Sequence, residues 1–342
     1  MTDTTAAARQ IKRLSRMQDK GITRSTVMVH DCCKPALEAL RPHLIDPSSA
    51  EPLEQAVSLI QSLAKPINVS QVAQLSPFRY PGGKTWLVPE VRIWLKGISY
   101  HPSVFVEPFA GGAIVGLTIA AESLAESVIL NELDDDVAAV WDVVINRADS
   151  DADWLCEQIL TFQVNLPNVL AIINTCNSLS QKEKAFRTIV KNRTQRGGIL
   201  APGAGIVKVG ESGKGLLSRW YPETLVRRIK AIRSIRGMIR FDQQDAFSVI
   251  SHYSNDPHAV FFIDPPYTAG GKKAGSRLYT HSIVDHEALF AAMKNTKGQF
   301  IMTYDNADEV KKLAANNGFK VNYVPMKNTH HEIIYEILIT KN

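Results

Sequence analysis

The sequence predicts an α/β fold, a mostly parallel sheet interrupted by a helical insert and preceded by a small appendage. Three observations predict it. Strand-like and helix-like segments alternate over residues 76–149 and resume over 241–342, the pattern of helices crossing between parallel strands. The stretch between them, 150–240, is helical at both ends around a Gly-rich basic centre from Gly197 to Gly205, and reads as an insert. Residues 1–75 end in the weakly patterned run Lys65-Pro66-Ile67-Asn68-Val69-Ser70, which reads as a linker.

Taken in order, the appendage opens with a strand-like alternation over 23–30, followed by helix-like stretches over 33–44 and 51–64. That order is similar to ribbon-helix-helix DNA-binding modules, in which paired chains read DNA with alternate strand residues. A plain oligomerisation or packing role is the alternative. In the sheet, strands are expected at 103–107, 127–131, 239–241, 259–263 and 299–303, with helices at 113–124, 135–146, 285–293 and 308–316. The last two strands, 319–325 and 331–340, lie close enough in sequence to form an antiparallel hairpin at the sheet edge.

Composition narrows the function. The 342 residues are 45% hydrophobic and 21% charged, and no run approaches the length of a membrane span. Arg9, Lys12, Arg13 and Arg16 are not followed by an apolar signal core, so a cytoplasmic protein is expected. Cys32, Cys33, Cys156 and Cys176 have neither Cys-x-x-Cys nor zinc-finger spacing. The adjacent His330 and His331 would point to opposite faces of a strand. No metal is assigned. The net charge of +5 is unevenly spread: residues 180–240 hold fifteen Lys or Arg against three Glu, a local +12 laced with Gly and with Trp220-Tyr221. Such a stretch favours a polyanion partner.

The first strand runs through Glu107-Pro108-Phe109-Ala110-Gly111-Gly112 into a helix, a turn at which glycines let a nucleotide-type ligand approach the backbone. After the next strand comes Glu132, 20 residues beyond Gly112, placed to accept hydrogen bonds from ribose hydroxyls. The three-glycine pattern of a pyrophosphate binder is missing, and a nucleoside without phosphates does not need it.

The apolar run 259–263 suits a buried central strand and delivers Asp264-Pro265-Pro266-Tyr267 at its carboxyl end, where open α/β sheets place their chemistry. The prolines stiffen the loop and remove two N–H donors. Acceptors suit an exocyclic base amine, whose lone pair is delocalised into the ring. If Asp264 and the Pro265 carbonyl accept its two hydrogens, the nitrogen can pyramidalise and aim at a methyl donor, with Tyr267 stacked on a flipped base. The loop's chemistry alone fits adenine N6 or cytosine N4.

Over residues 77–342 the chain resembles the Dam-type DNA adenine (N6) methyltransferase family. The resemblance rests on Ser76-Pro77-Phe78-Arg79-Tyr80-Pro81-Gly82-Gly83-Lys84, on 105–112, on Asn192-Arg193-Thr194 and the Gly-rich run after it, on 264–267, and on Thr303-Tyr304-Asp305. It implies a Rossmann-like adenosylmethionine-dependent methyltransferase sheet acting on double-stranded DNA, and a parallel sheet ending in a hairpin suits that better than a dehydrogenase. By the resemblance, Tyr80, Gly82, Gly83 and Lys84 lie near the methionine end of S-adenosylmethionine, and Glu107, Pro108, Phe109, Gly111 and Gly112 surround its methionine and ribose. Glu132 takes the ribose hydroxyls, and Asp245 and Ala246 lie beside its adenine. Tyr80 stands where members often carry Trp, and Glu132 where Asp is usual. The insert corresponds to the family's target-recognition region, with Arg79, Asn192, Arg193, Thr194 and Arg196 as the expected DNA contacts. A bacterial or phage-type host, a homodimer through the appendage and a cognate restriction endonuclease complete the expectation. The competing readings are an N4-cytosine methyltransferase and a non-catalytic DNA-binding regulator on the same fold.

Overall fold

The computed structural model describes residues 15–16, 18–22, 33–53, 56, 68–80, 82–175, 178–266, 280–281, 283–327 and 333–342. The chain divides into two compact units, Met1–Lys65 and Pro66–Asn342. In the first, helix α1 (Lys34–Leu44) has Pro at its start, where no backbone donor is lost, and buries none of its side chains. The strand expected at 23–30 and most of the helix expected at 51–64 lie outside the described residues.

The second unit is built on seven strands: β1 (Val104–Glu107), β2 (Val128–Asn131), β3 (Ile239–Asp242), β4 (Ala259–Ile263), β5 (Gln299–Asp305), β6 (Lys320–Lys327) and β7 (Ile333–Thr340). Their order is β3-β2-β1-β4-β5-β7-β6. The first five are parallel; β7 is antiparallel to both neighbours. β1 and β4 are buried at every position, as continuous apolar runs in the middle of a parallel sheet should be. β3 alternates buried Ile239 and Phe241 with exposed Arg240, the pattern of an edge strand. The period of two also splits the core: Phe105, Leu130 and Phe262 pack on one face, and Val106, Ile129, Phe261 and Ile263 on the other.

The expected terminal hairpin forms, but its later strand is the interior one. Ile337, Leu338 and Ile339 are apolar on both sides and buried, so β7 slots between β5 and β6 and leaves β6, with exposed Asn322 and Tyr323, at the edge.

The helices are α2 (Val88–Lys96), α3 (Ile114–Ala121), α4 (Asp135–Trp141), α5 (Asp149–Thr161), α6 (Leu166–Ile173), α7 (Gln181–Thr194), α8 (Pro222–Ile235), α9 (Ala246–Tyr253), α10 (His286–Asn295) and α11 (Asp308–Asn317). The helix expected over 135–146 leaves α geometry at Asp142, and Asp142–Asn146 is a π turn. Helices α5 to α8 belong to the stretch read as an insert, yet they have no core of their own. Leu155, Val169, Ile189, Leu225 and Ile229 join the same buried cluster as Phe105 and Phe262. The insert therefore caps one face of the sheet and is held by it.

Candidate active site

Because β1, β2, β4 and β5 run in the same direction, Glu107, Asn131, Asp264 and Asp305 arrive together at one edge of the sheet. They border a cavity of about 390 Å³. Its walls also include Tyr80, Gly82, Gly83, Lys84, Pro108, Phe109, Gly111, Gly112, Glu132, Asp245, Ala246, Pro265 and Pro266, so the residues expected at the cofactor and most of the expected catalytic loop share one space. Tyr267 lies outside the described residues.

The turn after β1 is ordered from several directions. The Gly111 N–H donates to Glu132 Oε2 at 2.8 Å and the Asp134 N–H to Glu132 Oε1 at 2.9 Å. A carboxylate accepts about four hydrogen bonds, so Glu132 keeps acceptor capacity toward the cavity. Glu107 Oε2 accepts the Gly116 N–H at 2.7 Å. Burial lifts the Glu107 carboxyl well above its usual range, against the pull of that N–H. Asn131 fastens the neighbouring loops, donating to the Pro108 and Gln244 carbonyls and accepting the Gln244 N–H. Asp245 caps α9 by accepting the Phe247 and Ser248 N–H groups.

The glycines of this turn have a nearer neighbour than any ligand. A Cβ on Gly111, which sits at φ +47°, would fall 2.6 Å from Tyr80 Cε1, and one on Gly112 would fall 2.9 Å from Tyr80 Cβ. They make room for the Tyr80 ring, and Tyr80 in turn becomes part of the cavity wall.

Lys84 is only 4% exposed. Its ammonium donates to the Gly82 carbonyl at 3.0 Å and stands 3.1 Å from Asp264 Oδ1 and 4.0 Å from Glu336 Oε2. Burial by itself pulls a lysine down, but Asp264 and Glu336 outweigh it, and the pKa lies above the ordinary value. The sequence led to Lys84 as a cofactor residue; the structure adds that it is the ionic partner of Asp264. Glu336 and Asp305 also line the cavity; nothing in the sequence pointed to Glu336, and Asp305 stood there only as part of a family motif with no role assigned.

A family model described as D12 class N6 adenine-specific DNA methyltransferase matches residues 80–329. The chain belongs to this family. It is an adenine-specific DNA methyltransferase. No curated protein sequence matches it. Solved structures give loose likenesses. Precorrin 8W decarboxylase of Methanobacterium thermoautotrophicum is 11% identical, over 74% of this chain and 89% of that one, at a TM-score of 0.30. Precorrin-6y C5,15-methyltransferase of Geobacter metallireducens is 10% identical, over 74% and 88%, at 0.30. A candidate RNA methyltransferase of Pyrococcus horikoshii is 11% identical, over 83% and 95%, at 0.34.

In the methyltransferase, the polar triplet at the end of α7 turns inward rather than toward a surface where bases could be met. Asn192 is fully buried; its amide accepts the Arg79 N–H and donates to the Arg79 and Gly198 carbonyls, all at 2.9 Å. Thr194, also fully buried, donates to the Val190 carbonyl at 2.7 Å. Arg193 is 8% exposed and donates to the Pro77 carbonyl. Buried polar groups require partners: the backbone at 77–79 and at Gly198 supplies them for Asn192 and Arg193, and α7 itself supplies Thr194's. Of the four insert residues expected at DNA, Arg196 alone is exposed.

A second cavity, about 340 Å³, lies beside the first and shares Tyr80, Gly83, Gly112 and Ile114 with it. Arg79, Arg193, Arg219 and Arg228 border it. Arg228 donates to the Ser76 carbonyl at 2.8 Å. Among the described residues no carboxylate pairs with Arg193 or Arg228, and Arg193 Nε is buried without a partner. Burial, and then the charges of Arg228 and Arg79, pull the Arg193 pKa down to about 10. Like charges gathered in this way suit an anion.

Proposed function

We propose that this methyltransferase transfers the methyl group of S-adenosylmethionine to N6 of an adenine flipped out of double-stranded DNA. The observation that carries the reading is Asp264 at the end of β4, held by Lys84 and bordering a cavity that Glu107 and Glu132 also line. The residues present fit the cofactor. The cavity is large enough for a nucleoside with an amino-acid tail. Glu132 has acceptor capacity left for a diol, and Glu107 offers a buried carboxyl group to a cationic ligand. Bound there, S-adenosylmethionine supplies an electrophilic methyl group on a sulfonium.

The chain's own residues then hold the amine. Asp264 and the Pro265 carbonyl accept the two N6 hydrogens, which weakens conjugation with the ring and exposes the lone pair. The proton that N6 loses on methylation would pass to Asp264. Little base strength is needed, because the work of these residues is alignment of the amine. Tyr267 is proposed to stack on the base, as a flipped nucleotide requires. The arginine-lined cavity supports DNA as the substrate, since neutralised phosphates supply much of the affinity for a duplex. Asn192 and Arg193 then serve recognition indirectly, by holding the 77–79 segment and the Gly-rich loop.

The test is chemical. The protein is incubated with unmethylated duplex DNA and labelled S-adenosylmethionine, and the labelled nucleoside is identified after hydrolysis. N6-methyladenine is expected; N4-methylcytosine, or label confined to RNA or protein, sinks the proposal. Asp264→Ala is expected to abolish turnover while cofactor binding persists, and loss of cofactor binding would show the aspartate to be misassigned.

A further inference from the structure

The cavity contains a carboxylate for which the chemistry above has no use. Glu336 lies on β7 and is 8% exposed. Its Oε2 accepts the Thr303 hydroxyl from β5 at 3.2 Å and stands 4.0 Å from the Lys84 ammonium. Lys84 already has Asp264 at 3.1 Å. One buried cation thus faces one carboxylate from the end of β4 and one from the middle of β7, and Asp305 at the end of β5 adds a further negative charge nearby.

An ion pair inside a protein needs one acid, and a second carries a desolvation cost that simple pairing does not explain. The arrangement makes sense in terms of what Asp264 must do. A lysine facing Asp264 alone would draw on the same oxygens that have to accept the target amine. Drawn also toward Glu336, the ammonium divides its attraction, and the Lys84–Asp264–Glu336 group keeps a net negative charge beside the nitrogen on which positive charge develops. We infer that Glu336 is a positioning residue for methyl transfer: by sharing Lys84 it leaves the oxygens of Asp264 available, and basic enough, to accept from the amine. The inference rests on the role proposed for Asp264.

The groups that face Glu336 are Lys84 from the segment before α2, Asp264 from the loop after β4, and Thr303 and Asp305 from β5. Burial pushes its carboxyl up, Lys84 opposes that, and it titrates at about 7. Below that pH Glu336 is neutral and Lys84 is left to Asp264, so the methylation rate is expected to climb as the pH is raised through about 7.

The experiment compares wild type, Glu336→Gln and Glu336→Asp as full chains. Single-turnover methylation of duplex DNA is followed on both sides of neutrality, S-adenosylmethionine affinity is measured by calorimetry, and melting temperatures are recorded. Gln keeps the size of the side chain and can still accept from Thr303, so folding is preserved. Its rate at alkaline pH is expected to be about tenfold lower, the equivalent of one pKa unit at Asp264, with the rise through neutrality gone and cofactor affinity within about threefold of wild type. Asp restores part of the rate together with the pH dependence. A Gln variant with the wild-type rate and pH profile overturns the inference, as does one whose cofactor affinity falls in proportion to its rate. A wild-type protein that methylates no adenine at any pH overturns the functional reading, and this inference with it.

Discussion

Gly116→Ala tests how tightly the cofactor turn is built. Gly116 is the third residue of α3, and alanine there would ordinarily stabilise a helix by about 1 kcal/mol. Here the new Cβ would lie 2.5 Å from Glu107 Oε2 and 2.5 Å from Leu130 Cδ2. Carbon contacts settle at about 3.5–4.0 Å, so both groups must retreat by roughly 1 Å. Leu130, 0% exposed, has nowhere to go, and Glu107, 3% exposed, can give way only toward the cavity. Overpacking of this kind costs about 1–3 kcal/mol, which after the helix gain leaves a net loss of up to about 2 kcal/mol. Glu107 also loses its bond from the Gly116 N–H and is driven toward the cavity, so cofactor affinity should fall with stability. Urea unfolding and calorimetric titration with S-adenosylmethionine measure both quantities. A variant at least as stable as wild type with unchanged affinity would refute the claim that Gly116 and Glu107 share one packed position.

Two further outcomes are expected. Arg228→Ala should weaken binding of duplex DNA regardless of sequence and lower the slope of log affinity against log salt by about 0.9, the signature of one lost phosphate contact; an unchanged slope would remove Arg228 from the interface. Glu336→Gln should alter the pH dependence of stability. The folded carboxyl titrates at about 7 against an ordinary 4.5, so between these values the folded state holds a proton that the unfolded chain releases. Wild-type stability therefore drops as pH rises through this window, by up to about 3 kcal/mol from this group. Denaturant unfolding of wild type and variant at the two ends of the window should show a gap that changes with pH, and a constant gap would contradict the assignment.

Much of the catalytic half was legible because its signals are local. The run Ala259–Ile263 announced a central strand by composition and Asp264 by position at its end. Glu132 followed from spacing alone. Helix α2 was passed over although Val88, Val91 and Leu95, its three buried residues, already stood at helical spacing. Glu336 was illegible for a different reason: its meeting with Lys84 depends on β7 entering between β5 and β6, a pairing order that no stretch of sequence encodes locally. The inward placement of Asn192 and Arg193 was not legible, because amides and guanidinium groups that suit base edges suit backbone carbonyls equally well, and only burial separates the two uses.

The clamp of Asn192 on Arg79 has a mechanical consequence. Both backbone groups of Arg79 are engaged by one side chain of α7, the same side chain reaches Gly198 in the Gly-rich loop, and the next residue, Tyr80, has its ring against Gly111 and Gly112. These parts form a short linkage with few free joints. A shift of the Gly-rich loop is transmitted through two side chains to the wall of the cavity, so the surface of the insert and the shape of the cavity bordered by Glu107 and Asp264 are geometrically tied.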